Sequence, residues 1–298
     1  MRILASGTSG TIGAALMPAL KVQGHQVVRL KTGMARGPDE IAWDPLRPID
    51  PALVSGFDAV IHLAGENIFG RWTPQKKAAI RDSRVQGTRN LCQALAEAAE
   101  KPRVLLAGSA IGYYGSRGDE VLTEESAPGT GFLAEVSRDW EAAAQPAADA
   151  GIRVVNLRTS VVLSAKGGAL AMMLPPFRLG LGGKIGSGRQ WISWIAIDDE
   201  VGAILHCLND DSFSGTVNLA APTPVKNADY TRVLGRVLRR PTVATVPALA
   251  VKLVLGREMA EETVLCSQKV MPGRLPASGY VFKYPELEEA LRSLIWRS

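Results

Sequence analysis

The sequence predicts an α/β fold: a doubly wound parallel sheet followed by a small, mainly helical C-terminal domain. Three observations carry this. Short apolar runs without polar alternation recur between longer segments of helical periodicity, as expected of strands buried on both faces of a parallel sheet. Gly7, Gly10 and Gly13 separate the first apolar run from the first helical segment. From about Val162 the chain becomes rich in Gly, Pro and aromatics, and the two prolines of "APTPV" break it at 221–225. These features place a nucleotide-binding domain with a substrate-covering segment at 1–222 and a small domain at 223–298. A chain of 298 residues, 46% hydrophobic, can build cores of that size.

Taken in order, the expected strands are 2–6, 26–30, 59–63, 104–107 and 153–157. The expected helices are 11–23, 74–100 and about 132–150. The second has Thr73 to cap it and Pro74 at its first position. Ile80, Arg84, Leu91 and Leu95 recur near one face of it. Beyond Val162 come a short strand near 191–195, a helix after Ile197, a late strand in "GTVNLA" and a Pro-started amphipathic helix in "YPELEEALRSLIW". Asp198, Asp199 and Glu200 are adjacent and do not converge on one point. They read as acids at a helix start, not as a paired-carboxylate site.

Composition excludes several classes. A net charge of +5 without a dense Lys/Arg run suits an anionic small molecule and not nucleic acid; Arg239–Arg240 is an isolated pair. Cys92, Cys207 and Cys266 are distant and odd in number, supporting neither a disulfide framework nor a zinc site. No metal is expected. "MRILASGTSG" is too short and wrongly flanked for a signal peptide, and no apolar run approaches ~18 residues. A cytoplasmic protein without membrane partners is expected. The sequence sets no oligomeric state.

The spacing G-x-x-G-x-x-G, between a buried strand and a helix, is that of a Rossmann-type dinucleotide site. Gly7 permits the tight turn, Gly10 lets backbone N–H groups approach a pyrophosphate, and Gly13 lets the helix pack on the sheet. Thr8, Ser9, Thr11 and Ile12 complete the loop. At the end of the second strand stand Lys31 and Thr32 with no acid. A cation there suits the 2′-phosphate of NADP(H), with Arg36 in support. Leu63, Ala64 and Gly65 end the third strand, where small residues let backbone run past a cofactor. His62, inside that apolar run, reads as structural. Ser109 ends the fourth strand, and Tyr113 and Tyr114 follow on a glycine-flanked loop. These three are the candidate catalytic groups, with a structural role for the tyrosines equally open. Arg189, Gln190 and Trp191 follow a Gly-rich loop and are the candidate substrate residues; Arg189 suits a phosphate or carboxylate.

Together these motifs resemble the extended short-chain dehydrogenase/reductases. "RWTPQKKAAIRDSRVQGTRNL", with Trp72, Ser83, Arg84 and Thr88, resembles an atypical branch, the SDR39U-like epimerase family. "GFLAEVSRDWEAAA", "LPPFRLGLGGKIGSGRQWISWI" and "RLPASGYVFKYPELEEAL" are similar to it as well. The tail is similar to that branch's small C-terminal domain, which has no assigned function. The resemblance implies NADP(H) as cofactor, held by the Gly7–Gly13 loop, Lys31, Thr32, Leu63, Ala64, Arg84 and a residue near Val161. It also implies a small-molecule substrate, anionic or a nucleotide sugar. Typical members carry a Tyr-x-x-x-Lys pair before or within the helix at 132–150. This chain has Phe132, Leu133, Val136 and Ser137 there. Three readings follow: an NADP-dependent oxidoreductase or epimerase-like enzyme using Tyr114 with Ser109, a non-catalytic NADP(H)-binding redox sensor or regulator, or a structural interaction protein in which the C-terminal domain docks a partner.

Overall fold

The computed structural model describes residues 1–296. Its centre is a seven-stranded parallel sheet. The strands are β1 (Arg2–Ser6), β2 (Gln26–Thr32), β3 (Glu40–Trp43), β4 (Ala59–His62), β5 (Val104–Ala110), β6 (Arg153–Thr159) and β7 (Gly215–Leu219). Their order is β7-β6-β5-β4-β1-β2-β3, reversing at β1/β4, and every pair is parallel. This is the doubly wound topology that gathers ligands at the carboxyl ends of the strands.

Helices α1 (Thr11–Val22) and α6 (Ile197–Asn209) cover one face. Leu16, Leu20, Ile204 and Cys207 pack there on Ile3, Ile61, Leu106 and Leu157. Helices α2 (Pro74–Glu97), α3 (Phe132–Ala142) and α4 (Gln145–Asp149) lie on the other. There Leu91, Leu95 and Ala147 meet Leu4, Val60 and Leu105. Thr73 caps α2 by accepting the Lys76 N–H at 3.2 Å.

A third core joins segments from both sides of residue 222. Helices α5 (Gly168–Arg178), α7 (Asn227–Leu238) and α11 (Leu287–Trp296) supply Leu170, Leu174, Tyr230, Leu234, Leu287 and Leu291 around Trp194. Of the remaining helices, α8 (Ala248–Leu255) packs on α9 (Arg257–Glu262), and α10 (Arg274–Ala277) packs beside β7. From α9, Glu262 accepts the Phe132 and Leu133 N–H groups at 2.8 and 2.7 Å, which satisfies two orphan donors at the start of α3. Asp199 accepts the Lys283 and Tyr284 N–H groups at 2.7 and 2.9 Å. The acids at the start of α6 are thus structural, as the sequence suggests for them.

Several expectations shift. Strand β3 was hidden because "EIAW" is short and lies close behind β2, and the helix at 132–150 is two pieces, with Pro146 opening the second. The strand near 191–195 divides around Ser193, whose hydroxyl donates to the Gln268 carbonyl and accepts the Val270 N–H, both at 2.8 Å.

Candidate active site

The glycine loop crosses from β1 to α1 under strict steric control. Gly7 has φ +69°, and a Cβ there would lie 2.5 Å from the Leu63 carbonyl. A Cβ on Gly13 would overlap the Gly7 carbonyl. Gly10 differs: its nearest neighbour to such a Cβ is the Gly7 oxygen at 3.4 Å, so the protein's own packing leaves room on that side. Gly10 is also the N-cap of α1, with no side-chain cap and no acid in the first turn. The first N–H groups of α1 thus have no side-chain cap, and the helix dipole adds to them the geometry of an anion cradle. The segment ending at Gly167 closes over it, since a Cβ at Gly167 would lie 2.7 Å from Thr11 Oγ1. Thr8, Ser9 and Ile12 lie on the same loop.

Beside it runs the end of β4. The Leu63 and Ala64 N–H groups donate to the Ser6 carbonyl and Ser6 Oγ at 3.4 and 3.3 Å. Arg84 holds the next residues: it donates to the Glu66 carbonyl at 2.9 Å, stacks over Trp140 at 5.0 Å and sits against Gly65. Burial pulls this guanidinium down to about 10. Ser83 Oγ accepts the Glu66 N–H at 2.9 Å. His62 is fully buried between Ser6 Oγ (2.6 Å) and Thr88 Oγ1 (3.0 Å), and burial lowers it to about 4. It is a neutral structural imidazole, as its apolar run implies. Lys31, at the end of β2, lies 3.4 Å from the Glu40 carboxylate, and Thr32 ends the strand exposed.

The ends of β5 and β6 carry a closed polar network. Ser109 Oγ donates to Glu141 Oε1 at 2.6 Å. Arg158 grips Glu141 through Nε and Nη2 at 2.7 and 2.8 Å. Its third nitrogen donates to the Tyr114 hydroxyl at 2.9 Å, and Tyr114 donates to Asn218 Oδ1 at 2.7 Å. The Tyr113 ring lies 3.4 Å from the Arg158 guanidinium carbon. Burial opposes the charge on Arg158, but the bonds and charge of Glu141 outweigh it and raise the pKa.

The three candidate catalytic residues therefore meet, though not as expected. Tyr114 is fully buried, with both hydroxyl bonds made inside the protein, and burial raises its pKa despite Arg158. Its hydroxyl is bonded to Arg158 and Asn218, the geometry of the structural role that the sequence leaves open beside the acid/base one. Tyr113 is partly exposed and Ser109 is 5% exposed. Sequence reasoning missed Glu141 and Arg158. The available signals were a charged residue inside the apolar run "VVNLRT", and the spacing of Ala134, Ser137 and Glu141 along one side of α3.

The candidate substrate residues divide. Arg189 is exposed. Gln190 is 8% exposed, and its amide is committed to the Ile185 and Val264 carbonyls at 3.2 and 3.3 Å. It ties the loop to the C-terminal segment. Trp191 donates to Asp119 at 2.6 Å under the Lys269 ammonium. Gln268 links it to the tyrosine loop, donating to the Trp191 and Ile111 carbonyls at 3.2 and 2.8 Å. Val161 opens a short strand paired with Trp194 and is 36% exposed.

Residues 3–220 match the model of the NAD dependent epimerase/dehydratase family. The chain belongs to that family. Within it, an epimerase family protein of Mycobacterium tuberculosis is 42% identical over 288 residues, covering 96% of this chain and 95% of the relative. The epimerase family protein SDR39U1 of Bos taurus is 39% identical, covering 99% of this chain and 100% of its own. A crystal structure of human SDR39U1 with NADPH superposes with a TM-score of 0.92 at 35% identity over 100% of both chains. This epimerase-family chain also matches a domain of unknown function over 246–294, the stretch that contains Glu262. Among its described residues, no helix is long and apolar enough to cross a membrane.

Proposed function

We propose that this chain binds NADP(H) and acts as an epimerase-like oxidoreductase on a small, anionic substrate. The open cradle at Gly10 and the start of α1 is the observation that carries the cofactor reading. Its residues fit a pyrophosphate: glycine where a Cβ would fill the space, and unpartnered N–H groups behind it. Lys31, Thr32, Leu63, Ala64 and Val161 are the further residues proposed to line it, and the human relative crystallised with NADPH supports the same cofactor. Bound NADPH or NADP+ supplies or removes a hydride at a carbon.

The chain's part is to hold a proton at the neighbouring oxygen. Ser109 gives its hydrogen to Glu141, which leaves its lone pairs to accept from a substrate hydroxyl. Glu141 fixes the Ser109 hydroxyl in that direction. Arg158 fixes that carboxylate at both oxygens. Arg189, exposed, is the group for an anionic substituent, as on a nucleotide sugar.

A second reading, a non-catalytic NADP(H)-dependent regulator, is favoured by α3. It carries neither Tyr nor Lys, and the network around Glu141 is bonded to itself. Calorimetric titration with NADPH, followed by turnover against a panel of carbonyls, separates the two. Turnover abolished by Ser109→Ala supports the enzyme. Tight binding with no turnover anywhere supports the regulator, and no saturable binding overturns both.

A further inference from the structure

An acid at the end of the second strand normally selects NAD by bonding the ribose hydroxyls. The sequence places none there. The fold nevertheless delivers one: β3 pairs with β2 so that Glu40 lies beside Arg29, although only residues 33–39 separate the strands. Glu40 Oε1 takes the Arg29 guanidinium at 2.7 Å and the Lys31 ammonium at 3.4 Å. Oε2 takes the Arg36 backbone N–H at 2.9 Å. Its side chain is 6% exposed. The Arg36 bond, then the lysine and arginine, hold this carboxyl below its ordinary pKa.

A carboxylate already accepting three donors has little left for ribose hydroxyls. We propose that Glu40 is a positioning residue that sets the preference for NADP over NAD. It holds Lys31, and the return loop that carries Arg36, at the place where a 2′-phosphate enters. The local sum remains cationic: Arg29, Lys31 and Arg36 outnumber Glu40 and Asp39. Charge draws the phosphate in, and Glu40 removes the freedom of the groups that receive it. An unheld lysine loses that freedom on binding, at a cost to affinity. A bare 2′-hydroxyl makes no such contact, so NADH gains nothing from the arrangement.

This rests on the NADP(H) reading above. The test is cofactor affinity, read from nicotinamide fluorescence for NADPH and NADH separately. Glu40→Ala raises the NADPH Kd by about 10-fold and leaves the NADH Kd within about twofold. Glu40→Gln, which keeps an acceptor for the Arg36 N–H but not the charge, falls between. Lys31→Met loses most of the preference, and the Lys31→Met/Glu40→Ala double variant loses less than the sum of the two single variants, because Glu40 acts in part through Lys31. Equal weakening of both cofactors, an unchanged or tightened NADPH Kd, or full additivity in the double variant overturns the proposal. A wild type that binds neither cofactor overturns the NADP(H) reading with it. A wild type that prefers NADPH while the Glu40 variants match it overturns this proposal alone.

Discussion

Two polar regions stand at the same edge of the sheet and are built on opposite principles. Around β1 and α1 the protein leaves its backbone donors without internal partners and removes the side chain that would fill the space at Gly10. Around β5 and β6 it does the reverse. Ser109, Glu141, Arg158, Tyr114 and Asn218 bond to one another, and a buried guanidinium is matched by a carboxylate at 2.7 Å. The first region has the geometry of a half-site, open for the ligand proposed above. The second is complete by itself, with Tyr113 and Glu141 its least buried members. Orphan donors mark the place for a ligand, whereas a satisfied network holds the frame around it.

The contrast breaks most sharply at Glu141. Glu141→Ala leaves Arg158, 4% exposed, without its counter-charge, and should cost about 3–5 kcal/mol of stability by denaturant titration. Cofactor affinity of the folded fraction should change little. A loss under ~1 kcal/mol would mean that the network is looser than its distances imply.

Next is Glu200, buried in α6 under the end of β6. Thr159 donates to one oxygen at 2.9 Å, the other has no partner, and burial raises the carboxyl to about 8. The folded chain keeps a proton that the unfolded chain releases near 4.5, so stability falls as pH rises from about 4.5 to 8 and levels above. Glu200→Gln keeps the acceptor for Thr159 and stays neutral. It should flatten the melting temperature against pH and be more stable than wild type at pH 8, by about 1.4 kcal/mol for every tenfold difference in proton affinity between the folded and unfolded chains. Parallel curves would exclude a neutral Glu200.

Gly10→Val probes the open half. Because the loop itself has room there, the variant should melt close to wild type while NADPH affinity drops by about 100-fold, near 2.7 kcal/mol. Equal affinity would place the ligand elsewhere. The smallest effect is expected at Tyr114→Phe, which removes one bond to Asn218 and one from Arg158. It should cost about 1–2 kcal/mol of stability and leave any NADPH-dependent turnover intact. Loss of turnover at unchanged stability would return the acid/base role to this hydroxyl.

The open half was legible in the sequence because its signals are local. Three glycines at fixed spacing, a strand before and a helix after specify one geometry. His62 could be read as structural because an apolar run surrounds it. The closed half joins residues far apart in the chain: Ser109 and Glu141 are joined by a fold, not a spacing. Tyr114 looked like a candidate because sequence gives position along a loop but not the side to which a ring turns. Glu40 was missed for the same reason, since a strand pairing in register brings it to Lys31. Gln190 looked accessible on a Gly-rich loop, yet its partner Val264 belongs to the C-terminal segment.

A crystal structure grown with NADPH tests the contrast between the two halves most directly. The expected result is a pyrophosphate on the first N–H groups of α1, the 2′-phosphate beside Lys31, and the nicotinamide nearest Ser109 and Tyr113, with the Glu141–Arg158 pair unmoved. A cofactor seated away from Gly10, or one that enters by breaking the Glu141–Arg158 pair, would contradict it.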